Sequence, residues 1–202
     1  MIQPVPDSRI KEAVRILEQG GLIAFPTETC YALGVDPFNK EALRRLFQVK
    51  QRATAKPILV LVAEKSYLPL LAASLPVHFE TLMHAFWPGP LTLVFPALID
   101  VPELLTGGTG TVGIRVSSHP VAQCLLQKYQ WPITATSANR SGRLAATTAS
   151  EVKKIFGLNV DLVLDGGTTP GGQGSTLVGE KNGDIFCIRE GRIPFIDIRA
   201  AL

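Results

Sequence analysis

Gly21-Leu22-Ile23-Ala24-Phe25-Pro26-Thr27-Glu28-Thr29-Cys30 joins a short apolar run to a polar turn. The apolar run at 22–25 has the length of a buried strand, and Pro26 stops it. Ahead of it lies a segment of helical period. Ile10, Ala13, Val14 and Leu17 share one face there, Asp7 and Ser8 are candidate caps, and Gly20-Gly21 ends the run. The same alternation continues downstream. Asn39 caps a second helix carrying Ala42, Leu43, Leu46 and Phe47, and a strand follows at 58–62. Helical stretches at 67–73 and 77–86 lead to Trp87-Pro-Gly-Pro, which breaks the chain before a strand at 91–95. A strand at 112–116, a helix at 121–129, a strand at 132–135, and a capped helix at 149–156 come next. Strands at 162–164, 175–178 and 185–189 precede a short tail. Strands separated by helices predict an α/β chain with a mixed sheet and helices on its faces. Ligands on such sheets bind at the loops leaving strand ends.

The 202 residues fit one domain over 1–202, and 46% hydrophobic residues with 18% charged predict a globule with a substantial core. No repeat, low-complexity tract or composition shift divides it. Cys30, Cys124 and Cys187 are odd in number and scattered, so a disulfide framework is not expected. His78, His84 and His119 have no zinc-ligand spacing to any of them, and no resident metal is expected. The first residues lack a basic segment followed by an apolar run, and no window approaches 18 unbroken apolar residues. The expected compartment is the cytosol, without a membrane partner. A net charge of +3 permits an anionic substrate or a weak contact with tRNA or double-stranded RNA, and requires neither.

Four segments at element ends hold more polar chemistry than a connection needs. Residues 26–34 offer the hydroxyls of Thr27 and Thr29 and the carboxylate of Glu28; they are either a ligand loop or an ordinary strand-to-helix turn. Residues 50–57 carry Lys50, Arg52 and Lys56. These cations either grip a polyphosphate or stay solvated at a helix C-terminus. Residues 134–142 cluster short hydroxyl and amide groups suited to a base, a ribose or a phosphate, or to a hydrogen-bonded turn. Residues 165–176 contain five glycines, which let backbone N–H groups approach an anion or simply form a flexible hairpin loop. Gly108-Thr-Gly-Thr-Val-Gly113 matches a dinucleotide fingerprint by letter but precedes a strand instead of following one. No lysine precedes Ser175, which excludes a P-loop, and no G-x-S-x-G elbow is present. Cys30 reads as a small core residue.

In order along the chain, these loops resemble the YrdC family of threonylcarbamoyl-adenylate synthases. The resemblance spans about Arg9 to Arg189. It is carried by Pro26-Thr-Glu-Thr with Tyr31 and Gly34, Lys50-x-Arg52 with Pro57, and Trp87-Pro-Gly-Pro-Leu-Thr92. Val112-Gly-Ile-Arg115 with His119-Pro120, Ser137-Ala-Asn139-x-Ser-Gly142, Leu164-Asp-Gly-Gly167 and Gly174-Ser-Thr176 complete it. The resemblance implies an open, twisted mixed β-sheet flanked by helices, with a concave basic cavity. It implies a nucleotidyltransferase that makes threonylcarbamoyl-AMP from L-threonine, bicarbonate and ATP with Mg²⁺, releasing pyrophosphate. It also implies downstream threonylcarbamoyltransferase proteins that modify tRNA. By that likeness Lys50, Arg52 and Lys56 are the catalytic cations. Arg52, Lys56, Thr111, Ser137, Asn139 and Arg189 hold ATP, and Thr27, Thr29, Arg115 and Ser175 hold L-threonine. The chain departs from many relatives at Leu61, where they carry histidine, at Ala32, where glycine is usual, at Ala145-Ala146, which replaces Ser-Pro, and at Gly179, where an acidic residue is often found. A non-catalytic RNA-binding protein of the same fold is the alternative. It predicts salt-sensitive RNA binding without ATP.

Overall fold

A computed structural model describes residues 3–202. In chain order the elements are α1 (Asp7–Glu18), β1 (Ile23–Pro26), β2 (Tyr31–Gly34), α2 (Lys40–Lys50), β3 (Val60–Leu61), α3 (Phe79–Phe86), β4 (Leu91–Pro96), α4 (Glu103–Thr106) and β5 (Thr111–Arg115). Then come α5 (Pro120–Tyr129), β6 (Ile133–Thr134), β7 (Thr136–Ser137), α6 (Ala149–Phe156), β8 (Leu162–Val163), β9 (Thr176–Lys181), β10 (Asp184–Arg189) and α7 (Phe195–Ala200). The α/β class is as expected. The strands divide into two mixed sheets, ordered β7-β2-β1-β8 and β10-β9-β4-β5-β3-β6.

One strand path joins the two sheets. β6 pairs antiparallel with β3 at one sheet's edge, and one residue later β7 pairs antiparallel with β2 at the other's. Ala135 is the residue between them, and its N–H still bonds Leu59 O at 2.8 Å. The chain therefore bends from sheet to sheet at Ala135, and the hollow of that bend receives the ends of several strands.

Two apolar clusters form the core, each drawing on strands of both sheets. Ile10, Ala13 and Leu17 of α1 and Leu125 and Leu126 of α5 pack with Ile23 and Phe25 of β1 in one cluster. The other cluster is larger and gathers α2, α3, α6 and the central strands of the six-stranded sheet. Within it Phe79 meets Phe95 edge-on, with centroids 4.9 Å apart and an interplanar angle of 81°. Burying each such large side chain contributes about 1.5–3 kcal/mol.

Several local expectations change. Residues 26–34 form a hairpin, β1 to β2, and not a strand-to-helix turn. Residues 165–176 run from β8 of one sheet to β9 of the other, so they are a crossing and not a hairpin loop. The expected helix at 67–73 is a 3₁₀ segment, Lys65–Leu70, because Pro69 inside it cannot donate. The strand expected at 58–62 shortens to β3, since Ile58 N–H bonds Leu105 O instead of a strand partner. Pro6, not Asp7 or Ser8, precedes α1; Asp7 sits in its first turn and pairs with Lys11 at 2.8 Å. The short tail carries α7, held by fully buried Ile198.

Candidate active site

The hairpin loop is shaped by Thr27. Its Oγ1 donates to Cys30 O at 2.8 Å, lies 2.9 Å from Thr29 Oγ1, and accepts the N–H groups of Thr29 and Cys30 at 3.3 Å each. Both threonines are buried but reach the hollow between the sheets.

α2 ends with Gln51 in the left-handed region, φ 53°, which turns the chain sharply. Arg52 is then folded over its own loop, Nε donating to Lys56 O at 3.2 Å and Nη2 to Pro57 O at 2.8 Å. Ser175, just ahead of β9, and Arg189, the last residue of β10, come next. Ser175 Oγ lies 2.8 Å from the Oγ1 of buried Thr92, and Arg189 Nη2 donates to Ser175 O at 2.9 Å. Gly174 makes room for that guanidinium, since a Cβ there would sit 3.3 Å from Arg189 Nη2. The glycine crossing is tied down: Gly171 N–H bonds Thr29 O at 2.8 Å and Arg192 Nη2 bonds Gly171 O at 2.7 Å.

These pieces enclose a cavity of about 670 Å³. Arg52, Lys56, Arg115, Arg143 and Arg189 line it, and among the described residues no Asp or Glu does. The cations disturb one another. Burial, then Arg189, pulls the Arg52 guanidinium below its usual value; burial, then Arg115, does the same to Arg189. Such a hollow stabilises bound anions in a low-dielectric setting.

Thr27, Thr29, Arg52, Lys56, Thr111, Arg115, Ser137, Asn139, Ser175 and Arg189 all line this cavity. Lys50 does not. It is 1% exposed and points behind the wall, where its Nζ donates to Ser137 O, to Asn139 O at 3.0 Å and to Asn139 Oδ1 at 2.6 Å. Lys50, expected among the catalytic cations, has its ammonium committed to the Ser137–Asn139 turn. Burial, then Arg52, pushes it down to about 7, against carbonyl oxygens that favour the charged form. Cys30 lines the cavity instead of the core, and burial pushes its thiol up, away from nucleophile chemistry.

Sequence reading missed Arg143 and Leu144, which stand at the rim on a turn whose Ser-Gly composition signals only a loop. It also missed the ion pair behind Arg115. Arg115 Nη1 bonds Glu28 Oε1 at 2.8 Å, Ser117 Oγ donates to Glu28 Oε2, and Arg115 Nε is buried without a partner. Glu28 stands in the motif-bearing loop, but nothing local in the sequence pairs it with a residue 87 positions away.

Residues 15–191 match the Sua5/YciO/YrdC family, described as "Telomere recombination". The chain belongs to the Sua5/YciO/YrdC family. A threonylcarbamoyl-AMP synthase of Pyrococcus abyssi is 35% identical over 198 residues, covering 98% of this chain and 58% of that protein. The chain thus spans little more than half that relative's length. One from Nitrosococcus oceani is 40% identical over 165 residues, covering 80% of this chain and 87% of the relative. The crystal structure of P. abyssi Sua5 complexed with L-threonine superposes with a TM-score of 0.94 at 35% identity, over 99% of this chain and 59% of that one. Against this Sua5/YciO/YrdC background the departures have definite places. Leu61 is fully buried beside Arg115 in the strand pairing, whereas Ala32 and Ala145 line the cavity. No helix among the described residues is long and apolar enough to cross a membrane.

Proposed function

We propose that this chain is a cytosolic threonylcarbamoyl-AMP synthase, acting as one domain on L-threonine, bicarbonate and ATP. The observation that carries the reading is one cavity lined by five cations, by a set of hydroxyls and, among the described residues, by no carboxylate. A triphosphate needs the first and a hydroxyamino acid the second. Arg52, Lys56 and Arg189 neutralise the phosphates, while Thr111, Ser137 and Asn139 hold the nucleoside by neutral hydrogen bonds. Arg115 takes the threonine carboxylate, for which its buried, unpaired Nε–H is a spare donor. Thr27, Thr29 and Ser175 face the threonine hydroxyl.

In the reaction the threonine amine adds to bicarbonate with loss of water, giving a carbamate. A carbamate oxygen then attacks the α-phosphorus, the bond to the bridging oxygen breaks, and pyrophosphate leaves. No side-chain nucleophile enters. Positioning and neutralisation of spread charge are what these residues supply. Mg²⁺ enters as part of magnesium-ATP, held chiefly by the substrate's own phosphate oxygens. Lys50 supports the site indirectly, by fixing the turn that presents Ser137 and Asn139. The product is a labile mixed anhydride, handed to partner proteins that transfer the threonylcarbamoyl group to tRNA.

Pyrophosphate release from ATP, bicarbonate and Mg²⁺, measured with and without L-threonine, tests the proposal. Release that depends on threonine is expected; release indifferent to threonine would overturn it. RNA binding without any ATP turnover would favour a binding protein of the same fold.

A further inference from the structure

Glu28 and Arg115 belong to different sheets. Glu28 lies in the β1–β2 turn of the four-stranded sheet, and Arg115 ends β5 of the six-stranded one. Both carboxylate oxygens of Glu28 are occupied, one by Arg115 Nη1 at 2.8 Å and the other by the Ser117 hydroxyl. The pair is buried, with side-chain exposures of 4% for Arg115 and 13% for Glu28. Glu28 does not line the cavity; Arg115 does.

A pair serving only to fasten the sheets would be expected to use all of the buried guanidinium's donors. Here Nε is buried and unpartnered, an arrangement the interior tolerates poorly unless a ligand completes it. The guanidinium is planar, and Nε–H shares an edge with Nη2. Fixing Nη1 from behind therefore dictates where the Nε–Nη2 edge lies. Ser117 in turn fixes the carboxylate, so the chain Ser117–Glu28–Arg115 orients one edge of one side chain.

We propose that Glu28 is a positioning residue, held by Ser117, that orients Arg115 for the carboxylate of the amino-acid substrate. This rests on the reading that Arg115 binds threonine. The effect belongs to threonine recognition and not to ATP, because Glu28 bonds none of the cations at the nucleotide wall.

Steady-state kinetics of Glu28→Ala, Glu28→Gln and Ser117→Ala, each with its melting temperature, test the proposal. Glu28→Ala is expected to raise the threonine KM by about 10-fold or more, with the ATP KM within about 2-fold of wild type. Glu28→Gln keeps one acceptor and Ser117→Ala keeps the charge, so each should raise the threonine KM by roughly 3-fold. A folded Glu28→Ala protein whose two KM values are unchanged, or rise together, would overturn it. Should that variant not fold, an unchanged threonine KM in both milder variants overturns it as well. A wild-type protein without threonine-dependent turnover overturns the underlying reading too, whereas an active wild type with indifferent variants overturns the positioning role alone.

Discussion

Lys50 and Arg52 stand two residues apart and do opposite things. Arg52 turns into the cavity, and replacing it with alanine is expected to slow turnover by about 10² if it stabilises the transferring phosphate; a turnover assay at saturating substrates checks this. Lys50 turns away and is enclosed by carbonyls. Its ammonium falls from the ordinary 10.5 to about 7 in the fold, first through burial and then through Arg52. Between those values the unfolded chain holds the extra proton, so stability rises with pH across that window. Urea unfolding of wild type and Lys50→Met from pH 6.5 to 10 should therefore diverge, by up to about 1.4 kcal/mol per pH unit. Parallel curves would mean that the carbonyl oxygens keep the ammonium charged. The sequence makes both cations visible as candidates. It does not show which way each points, because that depends on where residues 137–141, some 90 positions later, pack against the end of α2.

At the scale of elements, local signals were readable where a cap or a period marks them. Asn39 accepts the N–H groups of Glu41 and Ala42, Thr148 accepts that of Glu151, and the helices they start are where the pattern puts them. β2 and β7 were not legible. Thr27 and Glu28 give no turn signature, and a two-residue strand has no period to detect. β2 is specified by its hairpin with β1, and β7 by long-range pairing with β2. Long-range ties of this kind also set stability. Asp161, ahead of β8, accepts from Arg45 of α2 at 2.6 Å and 2.8 Å and from Leu22 N–H at 2.7 Å. The Arg45 guanidinium, aided by Leu22 N–H, holds its carboxyl below the ordinary 3.8. The contribution is therefore full at neutral pH and fades as pH falls below about 4. Asp161→Ala should cost about 1–2 kcal/mol by urea unfolding at pH 7 and less at pH 3. A cost independent of pH would contradict the ionic part.

For the whole molecule, the bend at Ala135 matters most. It sets the hairpin threonines of one sheet against the arginines of β5 and β10 in the other, so the cavity lies between the two sheets. ATP at about 100 times its low-salt Kd should add about 2.7 kcal/mol and raise Tm by roughly 5–10 °C, and the same ATP concentration should do less at high salt. An unmoved Tm would argue against a preformed anion site. The fold class and most cavity residues could be read from ordered motifs. The division into two sheets could not, since a single residue between β6 and β7 carries it.

Mass spectrometry of the adenylate formed from ATP, L-threonine and carbon-13 bicarbonate reads the proposed reaction itself. An adenylate that contains threonine and carries the label is expected. Unlabelled threonyl-adenylate, or no threonine-dependent adenylate at all, would contradict it.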